Sequence, residues 1–185
     1  MANTRTLDFY PVHGILTPIR PGDCVLMRSP DPSKPSYIAK VKKIVSDYNG
    51  DNVKVHVRWY YRPEEVVGGR KKFHGNKEVF LSDHRDVQAV DAIEGRCKIH
   101  TFKNYRKLET VGNDDFYSRL QYCSSTARFS PDRIAVYCIC EMPYNPDEFM
   151  IQCDGCHDWF HPACIDMTVE AAREMEHFLC QSCLS

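Results

Sequence analysis

The most regular feature of the chain is an alternation of apolar and polar side chains over residues 52–65. Its apolar face is formed by Val53, Val55, Val57, Trp59 and Tyr61. Alternation with a period of two is typical of a β-strand that has one buried face. Pro63 has no backbone N–H to give to a neighbouring strand, so this strand is predicted to end there.

Shorter runs of the same kind lie on both sides of this strand. Further strands are predicted over residues 24–29, 37–47, 78–84, 97–102 and 116–123, with a turn or short helix around 86–95. Asn49-Gly50 is a strong signal for a hairpin that leads into residues 52–65. Because long helical periodicity is missing, the sequence predicts a mainly β module, built as a sandwich or as a barrel-like sheet.

Charge and cysteine content divide the chain at the same place. Residues 1–133 carry a net charge of +7, whereas residues 134–185 carry −8. Seven of the ten cysteines lie in the last 48 residues. We therefore predict a β module over residues 21–133 and a small second domain over 134–185. Residues 1–20 have little periodicity and contain the turn-forming residues Pro11, Gly14 and Pro18, which predict a mobile or loosely packed lead-in.

The cysteines of the second domain are interpreted as metal ligands. The opening residues lack the apolar stretch of a secretion signal, and no apolar run is long enough to span a membrane. In a reducing compartment, dense cysteine indicates metal ligation rather than disulfides. The candidate ligands form four close pairs: Cys138 and Cys140, Cys153 and Cys156, His161 and Cys164, Cys180 and Cys183. Eight ligands without a carboxylate predict two closed, structural Zn²⁺ sites, one Cys₃His and one Cys₄.

The ligand order, with Trp159 two residues before the histidine and Phe178 two residues before Cys180, resembles a PHD finger. A RING-type finger is the nearest alternative, but a single residue between the first two cysteines disfavours it. The resemblance implies a cross-braced arrangement. Cys138, Cys140, His161 and Cys164 would hold one zinc, and Cys153, Cys156, Cys180 and Cys183 the other.

The PHD resemblance also implies a ligand, because fingers of this kind bind trimethylated lysine 4 of histone H3. The residues that match the methyl-lysine cage are Tyr137, Tyr144, Met150 and Trp159. Asp154 matches an acid that contacts an arginine of the histone tail, and residues 148–151 would pair with the tail as an added strand. For Tyr137 and Trp159, packing in a small core is the competing interpretation.

The β module is similar to a BAH domain in the segments GDCVLMRS, YIAKVKKI, VRWYYRPEE, FHGNKEVFLSDH and IEGRCKIH. Together with the string MPYNPDEFMIQCDGC, the chain resembles the plant BAH–PHD histone readers of the Short Life and Early Bolting in Short Days type. The resemblance implies that Tyr37, Trp59 and Tyr61 form a cage for trimethylated lysine 27 of histone H3, with Asp83 as a nearby polar contact. Because Trp59 and Tyr61 continue the apolar face of their strand, burial in the core is the competing interpretation.

The expected function is that of a nuclear, non-enzymatic chromatin reader that acts in transcriptional repression with unidentified silencing co-factors. Expected partners are methylated histone H3 tails and the nucleosome, whose DNA phosphates the basic run Arg70-Lys71-Lys72 could contact; no membrane partner is expected. No catalytic or phosphate-binding motif is found, and Cys24, Cys97 and Cys123 are interpreted as small apolar residues. A RING-like ubiquitin ligase and a scaffold that ignores methylation are the alternatives.

Overall fold

The computed structural model describes residues 3–185, which divide into two compact units. The first unit consists of residues 3–70 and Lys77–Asp132, and the second of Lys71–Asn76 and Arg133–Ser185. The first unit is built mainly from strands, as the sequence predicts.

The first unit contains a nine-stranded sheet and one short helix within residues 3–132. Its elements are β1 (Thr4–Leu7), β2 (Cys24–Met27), β3 (Tyr37–Asp47), β4 (Lys54–Tyr61), β5 (Phe80–Ala89), β6 (Ile93–Thr101), α1 (Phe102–Tyr105), β7 (Asp115–Ser118), β8 (Gln121–Cys123) and β9 (Arg128–Ser130). The strand order is β7-β6-β2-β3-β4-β5-β8-β9, with β1 paired to β3. Neighbouring strands are antiparallel except for β5 with β8 and β6 with β7.

The central strands confirm the alternation in the sequence. β3 has the predicted bounds, and β4 ends before Pro63, which begins a 3₁₀ turn over Pro63–Glu65. Gly50 in the β3–β4 connection has φ +88°, a conformation that glycine adopts at little cost.

Three segments differ from their predictions. β5 and β6 are longer than predicted and are separated only by a 3₁₀ turn over Val90–Ala92, so most of the predicted turn around 86–95 is strand. The predicted strand over 116–123 is split between β7 and β8. The described part of the lead-in, residues 3–20, is held at two places, because β1 pairs with β3 and Ile19 is fully buried.

The sheet has two packed faces, which we name after two adjacent residues of β4. The Trp59 face carries a core that includes Val25, Val41 and Val57, with Ile19 of the lead-in packed against it. The Tyr60 face carries a second, smaller core of Ile38, Tyr60, Val79, Cys97 and Phe116. A strand whose two faces are both covered shows apolar residues at successive positions, and Trp59-Tyr60 is such a place.

The second unit has little regular structure. Its elements are β10 (Val136–Tyr137), β11 (Met142–Pro143), β12 (Ile151–Gln152), β13 (Trp159–Phe160), a 3₁₀ turn (Pro162–Ile165), α2 (Val169–Glu174) and α3 (Gln181–Leu184). β10 pairs with β11 and β12 with β13, both antiparallel. Three cysteines, Cys138, Cys153 and Cys180, belong to its buried cluster, together with Met150, Ile151, Phe160, Ala172 and Phe178.

Lys71–Asn76 packs within this second unit although it lies between β4 and β5 in the sequence. The side-chain amide of Asn145 donates to the carbonyl of Lys72 at 2.9 Å, and the Asn76 N–H donates to Asp147 at 2.6 Å. His74 is buried and accepts a hydrogen bond from the Lys71 N–H, as expected of a structural histidine. No helix among residues 3–185 is long and apolar enough to cross a membrane.

Candidate functional site

The second unit brings its eight predicted ligands together in two clusters. One contains Cys138, Cys140, His161 and Cys164, and the other Cys153, Cys156, Cys180 and Cys183. Within each cluster all candidate ligand atoms lie within 4.8 Å of one another, as a tetrahedral zinc site requires. The pairs alternate along the chain, which is the cross-braced arrangement that the PHD resemblance implies. The residues fit two structural zinc ions.

The thiols of each cluster cannot all ionise easily without a cation. Backbone hydrogen bonds, first that from Cys180, lower the pKa of Cys153 to about 6. Its neighbour Cys183 has its pKa raised to about 12, chiefly because its thiol is hydrogen-bonded to Cys180 and Cys153. In the other cluster burial raises the pKa of Cys164 to about 11. Zinc supplies the positive charge that lets all four ligands bind as anions or neutral imidazole.

Glu148 lies beside His161, the one imidazole among the predicted ligands. Nδ1 of His161 points into its cluster, 3.4 Å from Sγ of Cys140, while Nε2 is 3.2 Å from a carboxylate oxygen of Glu148. A carboxylate on the outer nitrogen of a ligating histidine fixes the ring and increases its basicity. Glu148 therefore positions the histidine of the first zinc site.

The first unit contains a cavity of about 440 Å³ on the Trp59 face, at the end of β4. Its walls are Met27, Arg28, Pro30, Tyr37, Trp59, Tyr60, Tyr61, Glu65, His84, Asp86 and Gln88. The volume is in the range of small-molecule sites. The structure thus brings together Tyr37, Trp59 and Tyr61, the three aromatic residues singled out in the sequence.

Trp59 belongs both to the core and to this cavity. It is 9% exposed and packs in the main buried cluster, and its ring meets Tyr37 edge-on with centroids 5.8 Å apart. The register of β4 with β5 shifts between Arg58 and Tyr60, and Oγ of Ser82 donates to the Trp59 carbonyl at 2.7 Å. Such an irregularity re-aims a side chain at the end of a sheet.

Tyr61 forms the opposite wall and is held through its hydroxyl. The hydroxyl oxygen lies 2.7 Å from Nδ1 of His84, and its ring packs against Tyr122 with centroids 5.8 Å apart. His84 is itself part of the cavity wall. His84 therefore links the hydroxyl of Tyr61 to the candidate binding site.

Two carboxylates lie among the aromatic walls. Asp86 accepts a hydrogen bond from Nε1 of Trp59 at 3.3 Å. Burial raises the pKa of Asp86, but hydrogen bonds from Val87, Gln88 and Trp59 outweigh burial and leave the pKa below its ordinary value. Glu65 has its pKa raised by burial, against a hydrogen bond from the Arg62 backbone.

Asp83 does not line this cavity. Its carboxylate accepts hydrogen bonds from the N–H and hydroxyl of Ser124 at 2.8 and 2.7 Å, and Sγ of Cys123 lies 3.2 Å away. These bonds, chiefly those from Ser124, hold the pKa of Asp83 well below its usual range. Asp83 is close enough to raise the pKa of Tyr61, but the acid in contact with the aromatic walls is Asp86.

The four predicted cage residues of the second unit differ in exposure. Met150 is buried, Tyr137 and Tyr144 are partly buried against the same cluster, and Trp159 is 37% exposed. Trp159 lies on β13 opposite Gln152 of β12. Within residues 3–185, β12 pairs only with β13, so its other edge is open to an added strand.

Asp154 is already engaged inside the second unit. One carboxylate oxygen accepts a hydrogen bond from the Phe178 N–H at 3.1 Å and lies 3.3 Å from Nδ1 of His177. The Asp154 N–H in turn donates to the Phe178 carbonyl. The side chain is half exposed, so its other oxygen faces solvent.

Glu65, Asp86 and Glu148 are the site residues that the sequence reasoning missed. Glu65 follows the strand end at Pro63, and Asp86 lies in a segment predicted to be a turn, so neither stood in a recognisable pattern. Glu148 was assigned only to an added-strand segment. Its distance of thirteen residues from His161 gives no signal of the contact.

Known proteins and domain families are similar to both units of the chain. The BAH domain family matches residues 17–133, and the PHD-finger family matches residues 138–183. The yeast Rsc2 BAH domain is similar in structure, with a TM-score of 0.54 over 68% of this chain and 54% of that one. At 19% sequence identity this similarity supports the fold alone.

Two plant proteins resemble nearly the whole chain. Chromatin remodeling protein EBS of Arabidopsis thaliana is 58% identical over 181 residues, which cover 98% of this chain and 77% of that protein. Chromatin remodeling protein SHL of the same plant is 55% identical over 182 residues, covering 98% and 80%. The resemblance inferred from the sequence is confirmed, and the chain belongs to the family of BAH–PHD proteins that includes EBS and SHL.

Proposed function

We propose that this protein is a nuclear, non-enzymatic chromatin reader that binds trimethylated lysine 27 of histone H3 through its BAH domain. The observation that carries the proposal is the cavity formed by Tyr37, Trp59 and Tyr61 together with Glu65 and Asp86. The names of its relatives, which describe chromatin remodeling proteins, support a role at chromatin.

The chemistry of the cavity suits a quaternary ammonium. A trimethylated lysine keeps its positive charge but has no N–H to donate, so it is recognised by aromatic faces and by charge. Each cation–π contact contributes about 0.5–2 kcal/mol, the upper value applying where water is excluded. Asp86 stays ionised because its pKa is lowered, and its negative charge attracts the positive charge of the trimethylated lysine.

The PHD finger is proposed to bind trimethylated lysine 4 of the same histone through Tyr137, Tyr144, Met150 and Trp159. Support comes from the exposed ring of Trp159 and from the open edge of β12, along which a peptide can add as a strand. The negative charge of residues 134–185 complements a basic tail. We further propose that Asp154 contacts a tail arginine through its solvent-facing oxygen, and that binding recruits silencing co-factors.

Calorimetric titration of the full chain with four histone H3 peptides tests the proposal. The peptides span lysine 4 or lysine 27 and are unmodified or trimethylated. Affinities in the micromolar range, about −7 to −8 kcal/mol, are expected for the methylated peptides. A preference of tenfold or more, about 1.4 kcal/mol, at both lysines supports the dual reader.

Other outcomes assign the two domains differently. Preference at one lysine only makes the other domain a docking module. Equal binding of methylated and unmethylated peptides would contradict the reader function and favour a scaffold that ignores methylation. The match of residues 138–183 to PHD fingers disfavours a RING-like ubiquitin ligase. Discharge of ubiquitin from a charged conjugating enzyme would nevertheless overturn the non-enzymatic assignment.

A further inference from the structure

The part of the Tyr60 face that its apolar core leaves uncovered carries a block of positive charge. Three successive rows across β3, β4 and β5 carry basic side chains, and one row places three of them directly opposite one another. The rows are Lys40–Arg58–Arg85, Lys43–His56–Val87 and Val45–Lys54–Ala89. Neighbouring strands lie about 4.8 Å apart and alternate residues about 7 Å apart, so the cations form a regular grid. We call Lys40, Lys43, Lys54, Arg58 and Arg85 the basic grid.

The cations of the basic grid are not neutralised within the protein. Among residues 3–185, none of the five forms an ion pair with a carboxylate. Lys43, Lys54 and Arg85 are exposed, and Lys40 and Arg58 are half-buried. The three rows contain no acidic residue.

The acids on the same three strands are already engaged. Asp47 accepts hydrogen bonds from the Asp51 N–H and the Asn52 side chain at the β3–β4 turn. Asp83 is bound by Ser124, and Asp86 lies on the opposite face with Trp59. The grid therefore faces solvent as unbalanced positive charge.

Four arginines elsewhere in the first unit lie beside carboxylates: Arg62, Arg70, Arg96 and Arg119. Arg96 lies 3.0 Å from Asp23, and Arg119 lies 2.8 Å from the buried Glu78. Even Arg70, the first residue of the basic run noted in the sequence, lies 2.9 Å from Glu64. Lys72 of that run offers its carbonyl to Asn145. Unlike these four arginines, the row Lys40–Arg58–Arg85 places three cations side by side without a carboxylate partner among residues 3–185.

The fold itself gains nothing from this arrangement, since like charges directly opposite each other destabilise a sheet. A bound polyanion would neutralise a row of three such residues and remove this repulsion. We propose that the basic grid binds the phosphate backbone of duplex DNA. The choice of duplex DNA rests on the proposed function, because a histone tail emerges beside nucleosomal DNA, and the net charge of +7 on residues 1–133 agrees with it.

The test measures binding of the full, zinc-loaded chain to a fluorescent DNA duplex of mixed sequence by anisotropy, over a range of salt concentrations. Five phosphate contacts give a slope of log K against log salt of about −4.5, since each contributes about −0.9. The triple variant Lys43→Gln/Lys54→Gln/Arg85→Gln removes the exposed members and is expected to reduce the slope to about −2. Arg58 is kept, because its guanidinium donates to the Ser82 carbonyl beside the cavity.

A matched control removes three exposed lysines outside the grid: Lys34→Gln/Lys103→Gln/Lys107→Gln. It changes the net charge equally and is expected to keep the slope of the unchanged protein. The grid variant is expected to unfold at the same temperature as the unchanged protein or above it, because opposed like charges have been removed. Its affinity for trimethylated lysine 27 peptides is expected to be unchanged, which separates this proposal from the reader function.

Three results would overturn the proposal. One is an equal loss of DNA binding in the grid variant and in the control. Another is tighter binding of single-stranded RNA than of the duplex, with the loss in the grid variant confined to RNA. The third is binding of poly-glutamate but not of DNA, which would assign the grid to an acidic protein surface.

Discussion

The BAH domain and the PHD finger hold their candidate binding sites by different means. Trp59 and Tyr37 of the BAH domain pack against a continuous apolar core, and a cavity is formed before any ligand arrives. In the finger the small buried cluster includes three of the zinc ligands, and Trp159 is exposed. The first site depends on packing, whereas the second depends on metal coordination and on the peptide that binds it.

Removal of zinc is expected to produce the largest difference in stability between the two domains. Chelation is expected to unfold residues 138–183 and to leave the BAH domain folded, because structural zinc contributes about 10–16 kcal/mol to the folding of a small finger. Hydrogen exchange of the full chain, with and without chelator, measures this. A single cooperative loss of protection in both domains would show that the BAH domain also depends on zinc.

Truncation of the two tryptophans should affect stability to different extents. Trp59→Ala is expected to destabilise the BAH domain by about 3–5 kcal/mol, because a nearly buried ring is removed. Trp159→Ala is expected to change stability by less than about 0.5 kcal/mol, as for an exposed residue, and to abolish the preference for trimethylated lysine 4. Thermal unfolding and peptide titration measure both effects.

A conservative variant keeps this comparison interpretable if Trp59→Ala fails to fold. Trp59→Phe retains an aromatic wall but loses the hydrogen bond to Asp86, so weaker binding of trimethylated lysine 27 in a folded domain is expected. Unchanged binding would show that Trp59 serves the core alone.

Glu148→Gln should weaken the first zinc site without removing a ligand. Loss of the carboxylate beside Nε2 of His161 is expected to reduce zinc affinity by about 10–100-fold, as for other partners of ligating histidines. Competition with a chromophoric chelator measures it. Glu176→Gln, at an exposed position of the same domain, provides the control. Equal affinities in the two variants would show that Glu148 has no role in holding His161.

The smallest expected effect is a pH dependence confined to the BAH cavity. Both carboxylates attract the trimethylammonium when ionised, so affinity should fall as pH decreases. Glu65 has a raised pKa and is protonated first, whereas Asp86, with its lowered pKa, loses its charge only at lower pH. Titrating a trimethylated lysine 27 peptide at several pH values tests this. Glu65→Gln should remove the first part of the decrease, and an unchanged profile in that variant would exclude Glu65 as its source.

The sequence predicted features that are set by local pattern or by a specific family motif. The bounds of β3 and the end of β4 before Pro63 follow from period and proline chemistry, and the membership of both zinc clusters follows from the resemblance to PHD fingers. The cavity's carboxylates could not be predicted in this way. Asp86 reaches Trp59 only because the β4–β5 register shifts, and such a shift leaves no mark in a single sequence.

The lead-in was misjudged for a related reason. Its prolines and glycine indicate turns, but turn residues do not show whether the segments between them pair with a sheet. Thr4–Leu7 pairs with β3, and Ile19 packs in the core on the Trp59 face of the sheet. Both contacts depend on residues distant in the sequence, so the pattern of residues 1–20 alone does not predict them.

The position of Lys71–Asn76 bears on how such proteins can be recombined. These six residues are encoded between two BAH strands, yet Asn145 and Asp147 hold them as part of the finger. A chimera joined at residue 133 would therefore transfer an incomplete finger and leave its missing piece behind. Exchange of fingers between relatives is expected to preserve the fold only when this short segment and its two polar partners are inherited together.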